Sequence, residues 1–282
     1  MKKAINQIKN RTKLNLSFIK QIEEIENLYK NSKKLLIKLA NTKHSMHLTK
    51  FAQAEVIFQA ICNINELILL GLKGSMFYAT DPLVRVSIEH SVNIIYILED
   101  KTNLRSRQFI KNYIETTLTK SKDWLEYAIR SGNNEEIAVA QKKFDYIREV
   151  KSQNINLFEE KIGGWPKPRE KFALCGFEGA YRTIYSMNSD SIHSLSEDVY
   201  NALIEFQAPN ALLPHLQKLS SSYNCSLAIY HCIKSLAFFC LAMQALANAS
   251  ENKVVHDEVG EVLIKVDQLL YPHEMDTIQM WS

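Results

Sequence analysis

The sequence predicts an all-α protein, a multi-helix bundle of about seven to nine helices. Three observations point there. Only 8 Gly and 6 Pro interrupt 282 residues, too few breakers for many short strands and turns. Apolar residues recur at helical spacing through most of the chain. No stretch alternates apolar and polar residues between hairpin turns, and no internal repeat or low-complexity tract stands out.

The elements follow in order. Residues 14–40 carry Leu14, Phe18, Ile22, Ile25, Leu28, Leu35 and Leu39 near helical period, with charges between them. Residues 45–73 form a second, more apolar helix that ends near Gly71 and Gly74. Thr80 or Asp81 caps the third, with Pro82 in its first turn, and it runs to about Asp100. A fourth helix spans 103–130 and stops at Ser131-Gly132-Asn133. The fifth starts after Asn133 or Asn134, where Glu135 and Glu136 suit a positive N-terminal end, and fades near Lys161. Ile162-Gly163-Gly164-Trp165-Pro166-Lys167-Pro168 is the clearest loop in the chain. Helix resumes from about Glu170, with a break expected near Asn188-Ser189-Asp190, and closes near Pro209. Pro214 opens a long apolar helix, and a last amphipathic helix covers 256–270. The expected organisation is a basic N-terminal helical extension (1–50), a main helical bundle (51–250) and a C-terminal helix and tail (251–282).

The hydrophobic fraction, 46%, and the charged fraction, 23%, are those of a folded globular chain rather than a disordered one. Five cysteines form no CxxC pair, which reads as reduced thiols in a cytoplasmic protein. The basic start has no apolar run after it, so no secretory signal is expected. Residues 225–249 are long enough to cross a membrane, but His231 and Lys234 interrupt them. They read as a buried core helix, and no transmembrane segment is expected. Charge is uneven. Residues 1–50 hold 12 Lys and Arg against Glu23, Glu24 and Glu26, a net of +9, while the rest of the chain is −6. Such an arm suits a polyanion such as RNA or an acidic lipid surface, or is simply a solvated helix face. The lipid reading is the weaker, since the segment has no Trp and few large aromatics.

The chemistry concentrates on Arg85 and Glu89, four residues apart in an otherwise apolar helix and so on one face. Burying charges is costly, so the pair is either a structural staple or part of a site. A second series, Tyr181, Tyr185, Ser189 and His193, repeats every four residues and forms one stripe if the helix is continuous. Facing one another, the two sets would make a polar cluster. Arg85 could grip a phosphate or carboxylate, His193 could move a proton near neutral pH, and Glu89 would orient one of them. The alternative is a hydrogen-bond network that fixes helix register. No GxGxxG, GxxxxGK[ST] or His-Glu-x-x-His pattern occurs, so no nucleotide, metal or other cofactor is expected. His44 and His47 read as surface residues, and Cys225, His231 and Cys232 as residents of an apolar helix rather than ligands.

Arg85-x-x-x-Glu89, Trp165-Pro166, Tyr181-x-x-x-Tyr185 and Ser189-x-x-x-His193, in this order, resemble the bacterial proteins of domain-of-unknown-function family 5677 (DUF5677) over roughly residues 55–245. The resemblance implies an all-helical bacterial protein with this Arg/Glu/Tyr/Ser/His set as its signature, and no established activity. Arg85-x4-His90 is also similar to the Arg-x(4 to 6)-His motif of HEPN ribonucleases, helical proteins of toxin and phage-defence systems that cleave RNA without metal, usually as dimers. In a regular helix, however, Arg85 and His90 point about 140° apart, against about 40° for Arg85 and Glu89. The expectation is therefore a metal-independent endoribonuclease or RNA-binding effector of a bacterial defence or toxin system. Arg85, Glu89 and His193 or His90 would be catalytic, and Tyr181, Tyr185 and Ser189 would bind substrate. The alternative is a non-catalytic helical interaction or regulatory protein that binds a protein partner or a second copy of itself.

Overall fold

The computed structural model describes residues 18–42, 46–186, 199, 203 and 207–281, apart from the side chains of Leu219, Tyr223 and residues 274–281. Among them every regular element is helical. We number these α1 (Phe18–Ala40), α2 (Leu48–Lys73), α3 (Phe77–Glu99), α4 (Leu104–Ser131), α5 (Asn134–Gln153), α6 (Asn156–Glu159), α7 (Pro168–Leu174), α8 (Glu178–Ala180), α9 (Leu213–Ala249) and α10 (Lys253–Trp281). A π-helical turn, Tyr181–Tyr185, extends α8. The fold class is all-α, as the sparse breakers and the helical periodicity predict.

The chain forms two compact units. One contains α1–α3 and α7–α10; the other is Asp100–Lys167. In the first, α3 is the hub. Its residues Ser91–Leu98 are all buried, packed between α2 and α9. One apolar core includes Ile25 and Tyr29 of α1, Phe58 and Ile61 of α2, Ile88 and Val92 of α3, and Phe239 and Met243 of α9. Phe239 meets Tyr29 and Phe58 with ring centroids 6.0 and 5.9 Å apart. Within this core Ser87 and Ser235 both donate to Asn65 Oδ1 at 2.8 Å, tying α2, α3 and α9 in one register. The basic helix α1 is packed into the same core, and its Lys38 pairs with Glu258 of α10 at 2.7 Å.

The second unit is a hairpin of α4 and α5. Gly132 turns it with φ +72°, a left-handed conformation that favours glycine. Asn133 then caps α5, accepting from the amides of Glu135 and Glu136 as the sequence predicts. Ile114, Leu157 and Ile162 form one small core and Leu125, Ala128 and Ala140 another. In the Gly-Gly-Trp-Pro loop, Trp165 stands edge-on to Phe109 at 5.1 Å.

Three expectations are corrected. The third helix begins at Phe77, not at a cap on Thr80 or Asp81, and Pro82 lies inside it. The reason is an abrupt end to α2: Gly74 N–H donates to Leu70, Met76 N–H donates to Gly71, and Ser75 takes φ +57°. The chain re-enters helix at once, and the Thr80 hydroxyl, fully buried, donates to Phe77 O at 2.7 Å. The fifth helix stops at Gln153 rather than fading at Lys161, because Asn154 turns both its amide and its side chain back onto the helix. The last helix is longer than 256–270 and runs to Trp281.

Among the described residues two helices, α2 and α9, are long and apolar enough to cross a membrane by length and composition, and 61% of the apolar window in α9 is buried within the protein.

Candidate functional site

Arg85 and Glu89 face α7 and the π-helical turn. The structure does not bring guanidinium and carboxylate together directly but through Tyr185. Arg85 Nη2 donates to the Tyr185 hydroxyl at 3.1 Å, and that hydroxyl donates to Glu89 Oε2 at 2.7 Å. The guanidinium carbon lies 4.5 Å from the centre of the Tyr185 ring, so the same side chain holds Arg85 through its face and its hydroxyl. Arg85 Nε is buried and, among the described residues, has no hydrogen-bond partner.

The π winding positions the tyrosine. Ser186 N–H reaches back five residues to Tyr181 O at 2.8 Å. This widened turn sets Tyr181 and Tyr185 in a stack, 5.2 Å apart and 25° from parallel. Phe172 of α7, fully buried, backs both rings at 5.6 and 5.2 Å. Tyr185 is only 4% exposed. Burial, helped by the Glu89 carboxylate, pushes its phenol up to about 12, against the opposing pull of Arg85.

Two further residues belong to the cluster that sequence reasoning did not find. Lys171 of α7 is 3% exposed and donates to Asn93 Oδ1 of α3. Burial lowers its ammonium to about 8, while Glu89 and Cys175 pull the other way. Asn93 was the available signal: an amide inside the otherwise apolar run Val92–Leu98 calls for a partner.

Each expected residue has its place. Arg85, Glu89, Tyr181 and Tyr185 come together. His90 lies off the Arg85 face, since α3 runs helically through both residues. It is half-buried, and burial lowers its pKa; Glu89 opposes the shift and Lys171 adds to it. Ser189 and His193 lie outside the described residues, as does His44. His47 is exposed and caps α2, its Nδ1 accepting from Thr49 N at 3.3 Å. His231 is buried against Asp81, 2.9 Å from its carboxylate. Cys232 and Cys240 are buried thiols, both raised to about 12 by burial. Among the described residues no three His, Cys, Asp or Glu side chains gather as a metal ion would need.

A family model described as a family of unknown function, DUF5677, matches residues 54–209. The chain belongs to DUF5677. The match contains Arg85, Glu89, Asn93, Lys171, Tyr181 and Tyr185, and so the whole described cluster is part of the DUF5677 region; it ends before the apolar helix α9 begins. No curated protein and no solved structure matches the chain.

Proposed function

We propose that this DUF5677 protein is a metal-independent endoribonuclease or RNA-binding effector of a bacterial defence or toxin system, acting in the cytoplasm through the cluster around Arg85. The observation that carries the reading is how Arg85 is held. Tyr185 takes one terminal nitrogen and covers one face, while Glu89 is engaged through the tyrosine hydroxyl rather than by a direct fork. Among the described residues Nε is a buried donor without a partner, which costs about 1–3 kcal/mol and is tolerated most readily where a ligand is to be bound. Lys171 places a second cation beside the same carboxylate. A phosphodiester is the anion that such an arrangement suits, and a π-helical turn is a common mark of a functional site.

In this reading Arg85 steadies the charge that develops on the phosphate as the RNA 2′-hydroxyl oxygen bonds to phosphorus. His193 moves the protons: it takes the one that the 2′-hydroxyl loses, and an acid returns one to the departing 5′-oxygen. His90, which lies off the Arg85 face of α3, is the less favoured base. The net charge of +9 in residues 1–50 supports a polyanionic partner, although Lys38 of that segment is already paired with Glu258.

A second reading has its own support. Tyr185 and Phe172 belong to the main apolar core, as expected if the cluster is a staple in a non-catalytic interaction or regulatory protein. The test is cleavage of total bacterial RNA in EDTA by the wild type and by an Arg85→Ala/His193→Ala double variant checked for folding. Cleavage by the wild type alone supports the ribonuclease. Cleavage that survives both substitutions removes these residues from the mechanism.

A further inference from the structure

The second unit, Asp100–Lys167, carries features that the Arg85 cluster does not use. It holds 13 Lys and Arg against 10 Asp and Glu, whereas residues 168–282 are net acidic. A groove of about 370 Å³ runs between α4 and α5. Leu118, Phe144 and Ile155 give it an apolar lining, and Lys122, Arg148 and Lys151 a cationic one.

These cations are not fully committed within the unit. Lys122 and Arg148 are each 64% exposed, and their carboxylate neighbours Glu126 and Asp145 stand off at 3.6 and 3.9 Å. Exposed pairs of that length hold the side chains weakly. Two of the three cations lie over rings: Arg148 is 5.7 Å from the centre of Phe144, and Lys151 is 4.8 Å from that of Phe158. Elsewhere on the unit Tyr113, Trp124, Tyr127 and Tyr146 are exposed among the basic residues. Cations interleaved with accessible aromatic faces are what a single nucleic-acid strand requires, phosphates on the first and bases on the second.

We propose that this groove binds single-stranded RNA, with Lys122, Arg148 and Lys151 on the phosphates and the Phe144 ring under a base. The choice of RNA rests on the function proposed above; the groove and its charge do not. An anionic amphiphile, with its chain on the same apolar lining, is the competing occupant.

The test is fluorescence anisotropy of a labelled 12-nucleotide single-stranded RNA on the full chain, measured across a salt series. The Lys122→Ala/Arg148→Ala/Lys151→Ala variant is expected to bind at least tenfold more weakly, with the log–log salt slope reduced by about 2. Lys265→Ala, an exposed lysine of α10 that does not line the groove, is expected to bind within twofold of the wild type. RNA binding that is unchanged in the triple variant overturns the proposal. So does a wild type that ignores RNA but takes up a fluorescent fatty acid, with uptake lost in the triple variant. Groove-dependent RNA binding without cleavage keeps this inference and removes the ribonuclease reading; cleavage with unchanged binding in the triple variant does the reverse.

Discussion

Arg85 and Glu89 stand one turn apart on α3 and are joined by a third residue, the Tyr185 hydroxyl, which accepts from one at 3.1 Å and donates to the other at 2.7 Å. A direct pair would hold the arginine by its strongest possible partner. The tyrosine relay holds it by a neutral group and a ring face, and leaves the carboxylate within the electrostatic reach of Lys171.

Tyr185→Phe keeps the ring and its stack but removes the relay. Glu89 loses a donor and Arg85 an acceptor in a half-buried setting, so the variant is expected to lose about 1–3 kcal/mol of stability. Denaturant unfolding with an unchanged slope measures this. A variant as stable as the wild type would mean that water replaces the hydroxyl at no cost.

Lys171 has a folded-state pKa of about 8 against an ordinary value of 10.5. Between these values the unfolded chain binds more protons than the folded one, so this group makes stability rise with pH. The wild type is expected to gain about 2 kcal/mol relative to Lys171→Met between pH 8 and 10. Parallel stability curves for the two proteins would contradict this.

His273 works in the acid range. It is buried on α10 beside the Ser226 hydroxyl, 2.8 Å away, and burial lowers it to about 4. Its folded pKa lies below the unfolded one, so stability present above about pH 6.5 is lost as pH falls toward 4. His273→Gln is expected to flatten that part of the curve, as followed by thermal unfolding from pH 7 to 4.

Gly71 sets how closely α2 approaches the first turn of α3. A Cβ there would meet Thr80 Cγ2 at 2.8 Å, and Thr80 is fully buried. Gly71→Ala is expected to cost about 1–3 kcal/mol by overpacking, and Gly71→Ala/Thr80→Ser to recover part of it. Thermal unfolding of both variants checks this.

Much of the arrangement was legible because it obeys short-range rules. The Asn133 cap and the Gly132 stop are local backbone chemistry, and Arg85 and Glu89 share a face by helical spacing alone. The start of α3 is not legible because Pro82 fits a first turn so well that the earlier entry at Phe77 leaves no local sign. Lys171 was missed for a different reason. Its burial is created by α7 folding onto α3, 78 residues away from Asn93 in the chain, and nothing in Pro168–Leu174 marks one lysine as interior. The π-helical turn, which aligns Tyr185 with both members of the pair, likewise has no signature in Tyr-Arg-Thr-Ile-Tyr.

The most direct test of the central claim pairs two readings on Arg85→Ala: its thermal unfolding, and its cleavage of total bacterial RNA in EDTA beside the wild type. A site predicts that the wild type cleaves, and that the variant loses at least a hundredfold in rate while most of the protein remains folded at the assay temperature. Equal cleavage by the two, or loss of several kcal/mol of stability with no RNA cleavage by the wild type, would contradict the account and leave the cluster as a staple.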